Sequence, residues 1–134
     1  MLSNRANYAL KALSVLAANY GGEPVLIAHI STTKNIPLKF LQAILLQLKQ
    51  HNILGSKKGK GGGYYLLQQP KQTSIASVLR IVDGPIALLP CASLNFYKQC
   101  VDCDEVNCKL KNIFTETRDA TLKILNKKTL ASLL

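Results

Sequence analysis

The sequence predicts a mainly α-helical protein with a small β-hairpin wing: a winged helix-turn-helix followed by a long C-terminal dimerisation helix. Two helical patterns meet at the tight turn Lys34-Asn35-Ile36, and a glycine-rich basic hairpin follows at 53–67. An amphipathic pattern over 105–126 closes the chain. The length of 134 residues, 48% of them hydrophobic, suffices for one domain or for a compact domain with a helical arm.

The first three elements are predicted to be helices, over 4–20, 27–33 and 37–51. Ser3 or Asn4 can cap the first helix, and Gly21-Gly22 ends it. Pro37 suits the first turn of the third helix, because the N–H that proline lacks would have no partner there. The third helix has apolar residues at the spacing of one buried face, at Leu38, Leu41, Ile44, Leu45 and Leu48. The second and third helices therefore predict a helix-turn-helix in which the third reads DNA.

The next segment predicts a β-hairpin with a flexible tip. One strand begins at Ile53-Leu54, and the other covers 64–67. The tip at 56–63 is basic and rich in glycine, which lets the backbone approach a surface closely. This hairpin is the expected wing. A fourth helix is predicted over 74–82, and Asp83-Gly84-Pro85 ends it.

The charge balance favours a polyanionic partner. Seventeen Lys and Arg against seven Asp and Glu give a net charge of +10, and the pI is near 9.6. Six side chains are candidate DNA contacts: Lys39, Gln42 and Ala43 on the third helix, and Lys57, Lys58 and Lys60 in the wing. The same helix is expected to present Gln47 and Lys49 further along. A solvated polar face is the alternative for the helix, and a nucleotide-binding loop is the alternative for the wing, although its Gly-Lys-Ser/Thr ending is missing.

Other classes of protein have little support in the sequence. The N-terminus lacks the apolar run of a secretory signal, and no stretch is apolar enough to span a bilayer, so we expect a cytoplasmic protein without a membrane partner. Neither a Ser-His-Asp set nor a paired acid site is discernible. We therefore expect no enzyme and no small-molecule substrate.

All four cysteines lie in one short stretch, at Cys91, Cys100, Cys103 and Cys108. In a reducing compartment such clustering indicates metal or redox chemistry rather than structural disulfides. Structural zinc sites prefer two Cys-x2-Cys pairs, and only one is present. The irregular spacing favours an iron–sulfur cluster, either [2Fe-2S] or [4Fe-4S], with zinc and metal-free thiol sensing as alternatives. Three nearby carboxylates are interpreted as solvated rather than as ligands: Asp102, Asp104 and Glu105.

The last predicted helix has a heptad-like row of small and apolar residues, at Val106, Leu110, Ile113, Thr117, Ala120 and Ile124. A long helix with one such stripe usually packs on a partner helix, so we expect a homodimer. The predicted organisation is a DNA-binding domain at 1–84, a cysteine-bearing sensor loop at 85–104, and a dimerisation helix with its tail at 105–134.

Several of these motifs together resemble the IscR/NsrR/CymR-type bacterial transcription regulators, the Rrf family. The matching motifs are Ala6-Asn7-Tyr8-Ala9-Leu10, 36–41, Gly61-Gly62-Gly63-Tyr64, and Asp83-Gly84-Pro85 followed by the cysteines. The resemblance covers essentially the whole chain. It implies a dimer that binds a palindromic operator, with the cluster beneath the dimer helix. Members of the family sense iron–sulfur status, nitric oxide, iron, redox state or cysteine supply.

The resemblance also implies roles for single residues. The three cluster cysteines of the family match Cys91, Cys100 and Cys108. Cys103 is extra: it could replace Cys100 in that role, and it is the candidate fourth ligand. Some members use a His where this chain has Lys111, and others use an acidic residue where it has Asn7. Lys39 and Gln42 match polar DNA-reading positions, and Lys58 matches an Arg that enters the minor groove.

These inferences together predict a winged-helix regulator whose operator affinity depends on an iron–sulfur cluster. A metal-free regulator controlled by thiol chemistry or by a partner protein is one alternative. An enzyme or electron carrier that uses the cluster for chemistry is another.

Overall fold

The computed structural model describes residues 2–101 and 103–134, which form five α-helices and one two-stranded antiparallel sheet. The helices are α1 Asn4–Ala18, α2 Ile27–Lys34, α3 Leu38–Gln50, α4 Ile75–Val82 and α5 Lys109–Lys127. The strands are β1 Leu54–Lys57 and β2 Gly63–Leu66, and short 3-10 turns cover Pro70–Gln72, Pro90–Ala92 and Leu130–Leu133. The predicted fold class, mainly α with a hairpin wing, is confirmed.

The core lies where α1, α3 and α4 meet. In α3, the four residues of the predicted stripe after Leu38 are buried: Leu41, Ile44, Leu45 and Leu48. Leu38 itself is 43% exposed, because the helix begins at this residue and Pro37 precedes it as the N-cap. Each fully buried leucine contributes about 1.5–3 kcal/mol relative to an exposed one, so this stripe fixes α3 firmly on the domain.

The turn between α2 and α3 is held by hydrogen bonds at both ends. Asn35 adopts a left-handed conformation with φ 51°, which ends α2. The Ile36 N–H donates to the Ser31 carbonyl at 3.0 Å, and the Ser31 hydroxyl donates to the Ile36 carbonyl at 2.6 Å. Ile36 is buried beneath this turn. The helix-turn-helix predicted from the sequence is therefore present with a fixed angle between its helices.

A third segment pairs with the two strands of the wing, a contact that the sequence did not predict. β1 and β2 pair in the register Leu54 with Leu66, and Lys57 with Gly63. Val25, in the connection before α2, exchanges two 2.9 Å backbone hydrogen bonds with Tyr64. Gly63 has φ 146°, and a Cβ there would lie 2.3 Å from the Val25 carbonyl oxygen. Glycine is required at this position because only its bare Cα lets the two backbones approach.

α5 begins at Lys109, not at Glu105 as its apolar pattern predicted. The Cys108 sulfur accepts a hydrogen bond from the Lys111 N–H at 3.3 Å and so acts as the N-cap. Val106 consequently lies outside the helix, and all four cysteines precede its first turn. No helix within residues 2–101 and 103–134 is long and apolar enough to cross a membrane.

The C-terminal tail folds back onto the core formed by the N-terminal helices. The Leu130 N–H donates to the Thr73 carbonyl at 3.0 Å, and the Ile75 N–H donates to the Lys128 carbonyl at 2.9 Å. Leu130 is completely buried in the same core as α1 and α3. The tail therefore ties the end of α5 to the start of α4, a contact between segments far apart in sequence.

Candidate DNA-binding surface and cysteine site

The outer face of α3 carries the three residues predicted to read DNA. Lys39, Gln42 and Ala43 are all exposed, and their spacing of three and four residues places them on one face, away from the buried stripe. Their side chains are therefore free to enter a groove of the width of the DNA major groove.

The wing presents its lysines from a tight glycine loop. Lys57 ends β1, and Lys58 and Lys60 lie in the loop, which the Gly62 N–H closes by donating to the Gly59 carbonyl at 3.0 Å. All three lysines are exposed. The segment 24–82, which spans α2, α3, the wing and α4, contains eight basic residues and no acidic one. This part of the chain is therefore a continuous source of positive potential.

Gln47 does not belong to the DNA-facing set, although its place on α3 had put it there. Its amide oxygen accepts a 2.6 Å hydrogen bond from Arg5, and its amide nitrogen donates to the Ile81 carbonyl at 2.8 Å. The side chain thus joins α3 to α1 and to the last turn of α4. The Lys49 ammonium group instead contacts the wing, where it donates to the Ser56 hydroxyl of β1 at 2.7 Å. These bonds set the orientation of the recognition helix relative to the wing.

The segment that leads to the cysteines is anchored to the start of α1. Ser3 caps α1 by accepting from the Ala6 N–H at 3.0 Å. Its hydroxyl also donates to the Asp83 carboxylate, and its N–H donates to the same carboxylate at 3.3 Å. Asp83 directly follows α4. The connection toward the cysteines therefore starts from a point that is hydrogen-bonded to the start of α1.

Two of the four cysteine sulfurs lie close together. Cys91 is buried in the Pro90–Ala92 turn, and its Sγ lies 3.7 Å from that of Cys100. Two thiolates bound at ~2.3 Å to one tetrahedral metal stand about 3.8 Å apart, so this spacing fits a pair of ligands. The Cys103 thiol is influenced by the Cys108 and Cys100 thiols, which both raise its pKa. The donor atoms therefore match those that bind iron–sulfur clusters or zinc.

In the part of the chain that the structure describes, the four cysteines are not arranged as a complete metal site. Within residues 2–101 and 103–134, no three His, Cys, Asp or Glu side chains are arranged to hold a metal ion. A hydrogen bond to Cys108, reinforced by burial, raises the pKa of Cys103 to about 11. Burial, together with the Cys100 thiol, also raises the pKa of Cys91. Both thiols are thus protonated near neutral pH, and a metal would have to displace their protons.

The carboxylates beside the cysteines have other partners. Asp104 accepts from the Val106 N–H at 3.2 Å and from the Asn107 amide at 2.8 Å. Glu105 accepts from the Tyr97 hydroxyl at 2.6 Å and pairs with Lys111 at 2.9 Å. Asp102 lies outside the described residues.

Lys111 remains a cation next to the cysteines. Its hydrogen bond to Glu105 raises the pKa of the ammonium group, and the Nζ lies 5.6 Å from the centre of the Tyr97 ring. A protonated ammonium group has no lone pair to donate to a metal.

Arg118 joins the Cys91 turn to α5. Its guanidinium donates to the Ala92 carbonyl at 2.6 Å and pairs with Asp119 at 2.7 Å. The side chain is only 12% exposed. No sequence pattern marked this residue, because an arginine on an amphipathic helix ordinarily lies in solvent.

The family model for Rrf2, described as an iron-dependent transcriptional regulator, matches residues 2–134. The chain belongs to the Rrf2 family. An rrf2-like HTH-type transcriptional regulator of Rhodobacter capsulatus is 38% identical, over all of this chain and 92% of its own length. The HTH-type transcriptional regulator NsrR of Bacillus subtilis is 31% identical, over 98% of this chain and 88% of its own length.

A solved structure shows the same fold as this Rrf2 protein. The global cysteine regulator CymR of B. subtilis superposes with a TM-score of 0.81 over 99% of this chain and 95% of its own, at 24% identity. The resemblance inferred from the sequence motifs is thereby confirmed. The Rrf2 chain is a helix-turn-helix transcriptional regulator and not an enzyme.

Proposed function

We propose that the Rrf2 protein binds a palindromic operator as a homodimer, with α3 in the major groove and the wing on the adjacent backbone or minor groove. The absence of acidic residues from 24–82, together with the exposed lysines of the wing, supports this placement. Lys39, Gln42 and Ala43 would face base edges, while Lys57, Lys58 and Lys60 would contact phosphates. The two-fold axis would place the half-sites one or more helical turns apart.

The unpaired face of α5 supports the homodimer. Leu110, Ile113 and Ile124 are each more than half exposed in the single chain. A cavity of about 340 Å³ opens between Leu79, Ile86 and Leu125, where α5 packs on the end of α4. Exposed apolar side chains in a row mark an interaction site, and a second copy of α5 would cover this one.

We further propose that an iron–sulfur cluster, bound by Cys91, Cys100, Cys103 and Cys108, controls operator affinity. The 3.7 Å separation of the Cys91 and Cys100 sulfurs carries this proposal, and the description of the family as iron-dependent supports it. Zinc would use the same donors and is the alternative metal. When bound, a cluster would supply a redox-active centre that oxidants or nitric oxide can damage.

The chain has contacts that would transmit a change at the cysteines. Cys108 caps α5, so displacement of its sulfur removes the hydrogen bond to the Lys111 N–H. Arg118 holds the Cys91 turn against the same helix, and Asp83 holds the start of the segment against α1. Movement of the cysteine segment would therefore shift α5, and with it the spacing of the two recognition helices. Such a switch requires that the two states differ in their affinity for DNA.

The test begins with anaerobic purification of the full chain, followed by iron and sulfide analysis and visible spectroscopy. We expect bound iron and sulfide with a coloured chromophore, and we expect operator affinity to differ between loaded and cluster-free protein. Cys91→Ser, Cys100→Ser and Cys108→Ser should each lose iron, whereas Gln99→Ala, an exposed residue of the same segment, is the control and should retain it. Colourless protein that binds neither iron nor sulfide after reconstitution contradicts the cluster proposal.

Metal-free thiol control is the second candidate, and the same 3.7 Å pair favours it. An oxidant of the peroxide class could remove two electrons and two protons from Cys91 and Cys100 and join their sulfurs. The fold is also that of CymR, a global cysteine regulator. The raised pKa values of Cys91 and Cys103 argue against thiol control, because the thiolate is the reactive form. A disulfide found by mass spectrometry, in iron-free protein whose operator affinity changes on oxidation, would favour this candidate.

A further inference from the structure

The outer face of α3 carries a large exposed apolar side chain near its middle. Leu46 is 51% exposed and lies three residues after Ala43 and seven after Lys39, the spacing of a single row on the helix. At 100° per residue, its position is about 150° from the centre of the buried stripe of α3. Leu46 therefore does not serve the core, and it lies near the middle of the face that is proposed to enter the groove.

The surroundings of Leu46 favour a particular kind of partner. The exposed neighbours of Leu46 on this face are Lys39, Gln42, Ala43 and Gln50. Exposed Phe40 lies three residues before Ala43 at the edge of the face, so basic and polar groups border an apolar patch centred on Ala43 and Leu46. A protein partner would need a matching apolar patch with acidic groups around it. The floor of the DNA major groove has one apolar group, the 5-methyl of thymine, set among hydrogen-bonding base edges and phosphates.

We propose that Ala43 and Leu46 together form a contact for a thymine 5-methyl group, and so make the operator half-site selective for thymine at one position. This inference rests on the proposed placement of α3 in the major groove. Ala43 leaves room beside Leu46 for a methyl group, and the lysine and glutamines direct the helix onto phosphates and base edges. Selectivity for thymine would arise from apolar burial rather than from a hydrogen bond.

The test first defines the operator by selecting duplexes from a random pool with the full, anaerobically purified protein. Each thymine of the selected half-site is then replaced by deoxyuridine, which lacks only the methyl group. Burial of one methyl changes affinity about 4-fold, so we expect one position per half-site at which deoxyuridine weakens binding by roughly 3- to 10-fold. The inference is overturned if the wild-type protein binds the operator with the same affinity when deoxyuridine replaces thymine at every position.

The variant Leu46→Ala provides the second arm. We expect it to bind thymine and deoxyuridine operators equally at that position, because the apolar partner of the methyl is gone. Leu134→Ala, an exposed leucine at the end of the chain, should keep the full methyl dependence. Retention of that dependence in Leu46→Ala also overturns the inference. Failure of the wild-type protein to bind any duplex in a salt-dependent manner would instead overturn the proposed function itself.

Discussion

Arg118 shows how one side chain can connect two parts of this fold. Its guanidinium is nearly buried, yet its charge is compensated by Asp119 and by the Ala92 carbonyl. The residue after Cys91 is thereby bonded to the middle of α5. Cys108 makes a second connection at the first turn of the same helix. The cysteine segment is thus attached to α5 at two points. The hydrogen bond to Ala92 is the stronger of the two, because its donor is a charged guanidinium.

We predict that Arg118→Met destabilises the protein by about 1–3 kcal/mol, because it removes a charged hydrogen bond while keeping the aliphatic packing. Urea unfolding of the metal-free chain measures the effect. The control Asp119→Asn removes an exposed partner but leaves the bond to Ala92, and it should cost less than about 1 kcal/mol. Equal losses in the two variants would show that the bond to Ala92 adds no stability.

Among the elements, the hairpin and α3 act as one unit. The bond from Lys49 to Ser56 links the end of α3 to β1, and the Val25–Tyr64 pairing links the start of α2 to β2. The wing is therefore held on both sides, although only two strands form it. The base of the wing is thus fixed to the same part of the fold as α3, and the loop with Lys58 and Lys60 projects from it.

We predict that Lys58→Ala weakens DNA binding at every sequence alike and lowers the slope of log affinity against log salt by roughly 1 per lost phosphate contact, or about 2 per dimer. Fluorescence anisotropy at several salt concentrations measures this slope. Lys127→Ala, an exposed lysine at the end of α5, is the control and should leave the slope unchanged. An unaltered slope in Lys58→Ala would place the wing away from DNA.

For the assembled protein, the exposed face of α5 is the feature that the single chain leaves unexplained. Its aliphatic residues lie on the side of the helix opposite Leu122, which is buried against the domain. A helix with apolar residues on two opposite sides is expected to pack against a different partner on each side. In the proposed homodimer, a second copy of the chain would cover this face.

We predict that Ile113→Asp converts the dimer to a monomer and weakens operator binding at least 10-fold, because it places a charge in the proposed apolar interface. Analytical ultracentrifugation measures the mass, and circular dichroism should show unchanged helix content, since Ile113 is 58% exposed in the single chain. Lys123→Asp introduces the same side chain on the polar side of α5 and should leave the dimer intact. A monomeric wild-type protein would contradict the proposal directly.

Much of the fold was predictable from local patterns. The spacing of Leu41, Ile44, Leu45 and Leu48 predicted the buried face of α3, and the glycines before Tyr64 predicted the wing. These features depend on residues close together in sequence, whose conformational preferences and periodicity are visible in a short window. The clustering of the four cysteines was equally local, and it predicted a site before any distance was known.

Contacts between distant segments could not be read from the sequence. The α5 pattern did not reveal that Cys108 would cap the helix and delay its start to Lys109. Polarity alone placed Gln47 toward DNA, whereas its bonds to Arg5 and Ile81 turn it inward. Composition and periodicity thus determined which elements form and which faces are apolar, since both are properties of neighbouring residues. The partners of each polar group were decided by tertiary packing, because a hydrogen bond depends on which distant atoms the fold brings within about 3 Å.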